Sequence, residues 1–253
     1  MTYGAKLYPI RCCLAKTVIV IETKKVAILQ SNYIPWKGYF DIIAHTDVFV
    51  IYDNRQYTKR DWRNRNRIKT SNGTQWLTIP IKSKGYQHQK INEAVIQHPS
   101  WTNKHVKSLE INDRRAEHFH EVIERLSPLY LEFKGVEQLS AINTCLIKKI
   151  NEWLNIDTKI LDAEIFYIEG TKSQALLSIL KQIGNVTHYI SGPSAKSYLD
   201  HDLFARNGIE IEWMDYSGYP IYTQLYPPFV HEVSILDLIF NEGPNSRSFL
   251  KYI

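Results

Sequence analysis

Apolar and polar positions change rhythm at a few sharp places along this chain. The first is Val26-Ala-Ile-Leu29, an apolar run that breaks into the polar loop Gln30-Ser-Asn32 and then opens at Trp36 onto a helical pattern. Trp36 to His45 reads as a short helix, with Tyr39, Phe40, Ile42 and Ile43 supplying its apolar positions. Asp47-Val-Phe-Val-Ile-Tyr-Asp53 follows as a second apolar strand, which completes a βαβ unit. In such units the first strand ends beside unpaired N–H groups at the helix start, and the positive end of the helix dipole faces the crevice. The loop from Gln30 to Lys37 is therefore an expected ligand site.

The rhythm then turns antiparallel. Asn72-Gly73 reads as a two-residue hairpin turn between strands over Trp62 to Thr70 and Gln75 to Ile81. From Trp101 to about Ile156 the pattern is helical, with Val136, Leu139, Ile142, Leu146 and Ile150 at three- and four-residue steps. Thr171 is placed to cap a helix that Gly184 ends, and His188-Tyr-Ile-Ser191 is the next strand. A helix opened by Gly192-Pro193-Ser194 and a strand over Ile209 to Trp213 follow. The fold class is α/β, a mostly parallel sheet with a β-hairpin and a helical insertion, in a single domain over 25–253. Met1 to Lys24 reads as an extension ahead of that domain, disordered or from a start assigned too far upstream, with Thr17 to Ile21 as an added edge strand the competing reading.

Composition sharpens this picture in three ways. With 253 residues, 44% of them apolar, the chain has material for a sizeable core. Cys12, Cys13 and Cys145 make neither a balanced disulfide framework nor zinc-like spacing, and no apolar run approaches the length of a membrane helix, so a cytoplasmic location is expected. The net charge of +5 is carried entirely between Asp53 and Lys69, where seven basic residues face two acidic ones.

In the predicted hairpin Arg63, Arg65, Arg67 and Lys69 share one face beside Trp76, while Asn64, Asn66 and Ile68 share the other with Leu77 and Ile79. A row of cations next to an aromatic ring suits phosphate or carboxylate binding, and a charged edge strand that discourages aggregation is the plainer alternative. Nucleic acid is a weaker candidate than a small phosphorylated ligand, because the basic patch is local. Asn64 is kept with Arg63, Arg65 and Arg67 as a ligand-binding residue.

Other constellations are weaker. His118 and His120 stand two apart on a helix and diverge, so no metal site is expected. Lys104-His105 offers a cation and an acid–base group, against the alternative of a surface lysine beside a packed histidine. Cys145 falls on the apolar stripe and reads as core. Gly192 and Ser194, at the end of a strand, are placed to approach a ligand. Ser234 to Asp237 forms a helix cap, and Asp237 and Asn241, one turn apart, are further ligand candidates.

The blocks Val26 to Asp41, Trp62-Arg-Asn-Arg-Asn-Arg-Ile68, Gly73-Thr-Gln-Trp-Leu-Thr-Ile-Pro80, Tyr189-Ile-Ser-Gly-Pro193 and Ser234-Ile-Leu-Asp-Leu-Ile-Phe-Asn241 resemble the successive blocks of the WbqC-like family, from Lys25 to the C-terminus. Members are often encoded among bacterial surface-polysaccharide genes, including clusters for amino-sugar-containing O-antigens. A more distant resemblance places Trp36-Lys-Gly-Tyr39 where nucleotidylyltransferases and pantothenate synthetase carry a His-x-Gly-His motif. Both histidines are replaced here, which leaves Lys37 and the hairpin arginines to supply the charge.

Together the resemblance implies a surface-glycan biosynthesis enzyme that binds a nucleotide or nucleotide-sugar and transfers an acyl or aminoacyl group to an amino sugar. Lys37 and His105 are the expected catalytic residues, and Gln30 and Asn32 orient the ligand. The alternatives are a non-catalytic nucleotide-sugar or glycan-assembly factor and a nucleic-acid-binding protein. The sequence names no cofactor beyond a nucleotide and no oligomeric state.

Overall fold

A computed structural model describes residues 23–82, 85 and 88–253 of the chain. Thr17 to Ile21 and the Cys12-Cys13 pair lie outside the described residues. Five short strands form a parallel sheet: β1 (Lys25–Leu29), β2 (Val48–Ile51), β5 (Lys159–Asp162), β6 (His188–Ser191) and β7 (Glu210–Trp213), in the order β5-β2-β1-β6-β7. The central strands are apolar at nearly every position because both faces are covered. Ala27, Phe49 and Ile190 enter one core, and Val26, Val48, Val50 and Tyr189 enter the other.

The larger core is closed by α1 (Lys37–Ala44), α2 (Trp101–Asp113), α3 (Phe119–Glu132), α4 (Leu139–Trp153) and α7 (Ile235–Glu242). The smaller core is closed by α5 (Ser173–Ile183) and α6 (His201–Ala205). An antiparallel hairpin of β3 (Arg65–Thr70) and β4 (Gly73–Thr78) lies against the larger core, burying Ile68 and Leu77.

The α/β class, the parallel sheet, the hairpin and the helical insertion agree with the sequence reading. Several details differ. The hairpin turn is Ser71-Asn72, one residue earlier than expected, and Gly73 opens the return strand at φ +106°, a conformation a side chain would resist. Arg67 therefore pairs with Trp76 and Arg65 with Thr78, a slide of two residues that preserves the alternation along both strands. The helical region is three helices, and β5 was not anticipated. The N-cap of α5 is Lys172 rather than Thr171, with no side-chain cap. After Gly192 a single 3₁₀ turn over Pro193–Ser197 precedes the short α6. Lys24 is tied to the sheet: its N–H donates to Thr187 Oγ1 at 2.9 Å, and its carbonyl accepts from the N–H groups of Thr187 and His188.

Candidate functional site

From β1 the chain crosses to β2 on one side, and it later returns to β6 on the other, so the connections diverge between β1 and β6. Open α/β sheets bind ligands at the carboxyl ends of strands at such a switch point. A cleft of about 530 Å³ lies there. Gln30 and Asn32 form its β1 side, Ser191 and Ser194 its β6 side, and Arg55, Arg63, Lys172 and Tyr198 come from the surrounding connections. Among the described residues its lining holds Arg55, Arg63 and Lys172 and no Asp or Glu, so the charge they give it is positive.

Arg63 is held across the loop. One guanidinium nitrogen donates to Asn32 Oδ1 at 3.1 Å and the other to Gln30 Oε1, while Asp61 stands 3.6 Å from the group. Arg55 lies over the Tyr52 ring, 4.3 Å from its centroid. Tyr39, on α1, donates its hydroxyl to the Gln30 carbonyl at 3.0 Å and fixes the backbone where β1 ends.

Beneath the loop sits a polar floor that sequence reading missed. Asp53, at the exit of β2, is buried and accepts from the Ser31 N–H at 2.8 Å, the Ser31 hydroxyl at 2.6 Å and the Ser140 hydroxyl. Burial raises its pKa, and these hydrogen bonds oppose the rise. Asn143, one turn along α4 from Ser140, donates to Ser31 Oγ at 3.1 Å and to the Arg63 carbonyl at 2.8 Å. The only local sign was an acidic residue closing an apolar strand; its partners Ser31 and Ser140 lie 22 residues before and 87 residues after it.

Of the expected site residues, the structure brings Gln30, Asn32, Arg63 and Ser194 to the cleft. Gly192 is not among the lining residues, has an ordinary φ of −72°, and leaves room for a side chain against Tyr216, so close ligand approach does not require a glycine there. Arg65 and Arg67 stay on the outer hairpin face. Arg65 stacks 4.0 Å from the Trp76 ring, and Arg67 lies beside the Trp62–Trp76 pair, 5.7 and 5.6 Å from the two ring centres, which are 5.2 Å apart; both rings are roughly 40% exposed. Asn64 is buried, donates to the Ile79 carbonyl at 2.8 Å and does not line the cleft. Lys69 leaves the predicted row of cations altogether, buried with its ammonium 2.6 Å from the Pro228 carbonyl.

Lys37 and His105 also lie away from the cleft. Lys37 is buried, and its Nζ donates to the Pro220 carbonyl at 3.0 Å and lies 4.8, 5.3 and 5.8 Å from the ring centres of Tyr219, Tyr222 and Phe229. Burial pulls its pKa down to about 8, against the opposing pull of Asp41 and Asp237. His105 is buried between Tyr33 and the carbonyl of Thr78, and Lys104 beside it is exposed; neither lines the cleft. Asp237 accepts from Tyr222 at 2.5 Å and Gln224 at 2.8 Å, and Asn241 donates back to the Asp237 carbonyl of its own helix at 2.7 Å. Ser234 caps α7 through the Leu236 N–H, as expected.

Trp36 and Tyr39 do not act as a pair. Tyr39 lines the cleft, and Trp36 lines a separate cavity. Among the described residues, no cluster of three or more His, Cys, Asp or Glu is placed to hold a metal ion, and no helix is long and apolar enough to cross a membrane.

The sequence of the WbqC-like protein family matches residues 30–249. A protein of Mycobacterium tuberculosis (strain ATCC 25618 / H37Rv), named uncharacterized protein Rv1507c, is 48% identical over 229 residues, which cover 90% of this chain and 98% of that protein. No solved structure matches.

Proposed function

Since the chain belongs to the WbqC-like protein family, the cleft at its sheet switch point is the feature a function must use, and we propose that it binds a nucleotide or nucleotide-sugar in bacterial surface-glycan biosynthesis. The observation that carries this reading is Arg63, oriented by Gln30 and Asn32 at the ends of β1 and β6 in a cleft lined by cations and hydroxyls. A guanidinium has five N–H donors, so the two spent on Gln30 and Asn32 aim the group without exhausting it. Arg55 and Lys172 add positive charge around the same space, and Ser191 and Ser194 offer hydroxyls to ribose or phosphate. Because neither Lys37 nor His105 lines the cleft, binding is the part of the reading that geometry supports. The acyl or aminoacyl transfer to an amino sugar is the step proposed to follow it, and a binding factor without turnover is the alternative.

Calorimetry with UDP-glucose, UDP-N-acetylglucosamine and ATP tests this. Arg63→Ala is expected to weaken the nucleotide that binds by about tenfold or more, the scale of a charge-assisted hydrogen bond to phosphate. The double variant Arg65→Ala, Arg67→Ala is expected to leave that affinity within about twofold, since neither half-buried side chain lines the cleft. Absence of binding by every nucleotide, or loss only in the double variant, overturns the cleft as the site.

A second reading rests on the cluster of Trp62, Trp76, Arg65 and Arg67, because exposed indoles beside guanidinium groups suit unstacked bases. Single-stranded RNA or DNA binding with a steep salt slope, abolished by the double variant, would establish it.

A further inference from the structure

Asn32 lines two cavities, the cleft and a smaller one of about 190 Å³ whose other walls are Pro35, Trp36, Trp62, Asn66 and Glu232. At roughly 30 Å³ per water this space equals about six waters, which suits one six-membered sugar ring and is too small for a nucleoside with its phosphates.

Both indoles in its wall are held in place. A Cβ on Gly38 would stand 2.3 Å from Trp36 Cζ2, so the Trp36 ring lies directly on the glycine at the first turn of α1. Its edge contacts with Tyr216 and Tyr219, at 5.2 and 5.8 Å, fix its plane from the other direction. Trp62 is braced by Trp76 and Arg67 and remains 39% exposed.

The polar groups divide into spent and unspent. Asn66 is spent: its amide donates to the carbonyls of Tyr33 and Ile34, and its oxygen accepts from the Arg67 N–H. Asn32 uses its oxygen on Arg63, and its N–H groups meet no partner among the described residues. Glu232 is exposed at this cavity, and its carboxylate makes no ion pair among the described residues.

We infer that this cavity is a subsite for a single pyranose ring bearing a protonated amino group, with its C–H face against the indoles and its ammonium on Glu232. Indole faces attract both apolar ring surface and cations, and the adjacent carboxylate selects a cation over a neutral substituent. A neutral sugar would gain the stacking and leave Glu232 without a partner. The inference rests on the reading of the cleft as a nucleotide site, because it makes this ring the acceptor held next to it across Asn32.

Ligand-observed NMR titrations with glucosamine, N-acetylglucosamine and glucose at pH 6.5 test it. Glucosamine is expected to bind roughly five- to tenfold more tightly than the two neutral sugars, the combined scale of a cation–π contact and an exposed ion pair. Glu232→Gln is expected to erase that preference while sparing the neutral sugars, and Trp62→Ala to weaken all three. Arg55→Ala, in the cleft but not in the wall of this cavity, is expected to leave glucosamine binding unchanged, which separates this subsite from the cleft. No glucosamine binding, or a preference that survives Glu232→Gln, overturns the inference; loss of nucleotide binding with glucosamine binding intact overturns only the cleft reading.

Discussion

A carbonyl oxygen only accepts hydrogen bonds, and that settles the order of donors around His105. Its Nε2 faces the Thr78 carbonyl at 3.2 Å and must carry the proton, so Nδ1 accepts from the Tyr33 hydroxyl at 2.8 Å. Tyr33 in turn accepts from Tyr130. The chain of donors works only with a neutral imidazole, and burial lowers the His105 pKa to about 4. Between its unfolded value near 6.5 and about 4 the unfolded chain binds the extra proton, so stability falls as pH drops through that window and is unaffected by His105 above it. Asp113, pushed up to about 8 by burial and by Asp237, has the opposite slope over about pH 4 to 8. Comparison with His105→Gln isolates the histidine: urea midpoints are expected to decline from pH 6.5 to 4 more steeply in the parent chain than in the variant. Equal slopes would mean the imidazole is not held neutral. Lys37 was illegible for a related reason. Nothing in Trp36-Lys-Gly38 marks a buried ammonium, because its aromatic and carbonyl partners lie about 180 to 190 residues further on.

One helix supports the loop after β1 from below. Ser140 and Asn143 lie on the same face of α4 and reach Asp53, Ser31 and the Arg63 backbone together. Removing both, as Ser140→Ala with Asn143→Ala, takes partners from a buried carboxylate and a buried carbonyl and is expected to cost about 2 to 4 kcal/mol. It should also weaken nucleotide binding, since Arg63 loses its anchor; denaturant midpoints and calorimetry read the two effects. Unchanged affinity in the destabilised variant would show that the loop keeps its shape without α4.

At this scale β1, α1, β2, β6 and the hairpin faces were legible, because each is an apolar run or an alternation bounded by a clear break. The two-residue slide in the hairpin escaped because Asn72-Gly73 marks a turn without saying which residues occupy its centre. The strand β5 escaped because Lys159-Ile-Leu-Asp162 is four residues long, has no strict alternation and pairs only at the sheet edge.

Both cores share β1, β2, β5 and β6, so neither can be dismantled while the other keeps its floor. We propose that residues 25–253 form one domain and unfold in a single transition. Trp36, Trp101 and Trp153 belong to the larger core and Trp213 to the smaller. Tryptophan fluorescence, weighted to the first, should therefore trace the same denaturant curve as far-ultraviolet circular dichroism, which reports both. Two separated midpoints would divide the sheet's two sides into independent units. The position of the cleft was legible as a strand–loop–helix, whereas its breadth was not, since Arg55, Lys172 and Tyr198 converge only once the strand order is known. The buried Asp53 floor holds the loop from below, while these rim side chains come from separate connections. Under the proposed nucleotide reading, ligand choice is thereby decoupled from foldability: exchanging rim residues offers an engineer, or descent with modification, a route to a new specificity on an unaltered foundation.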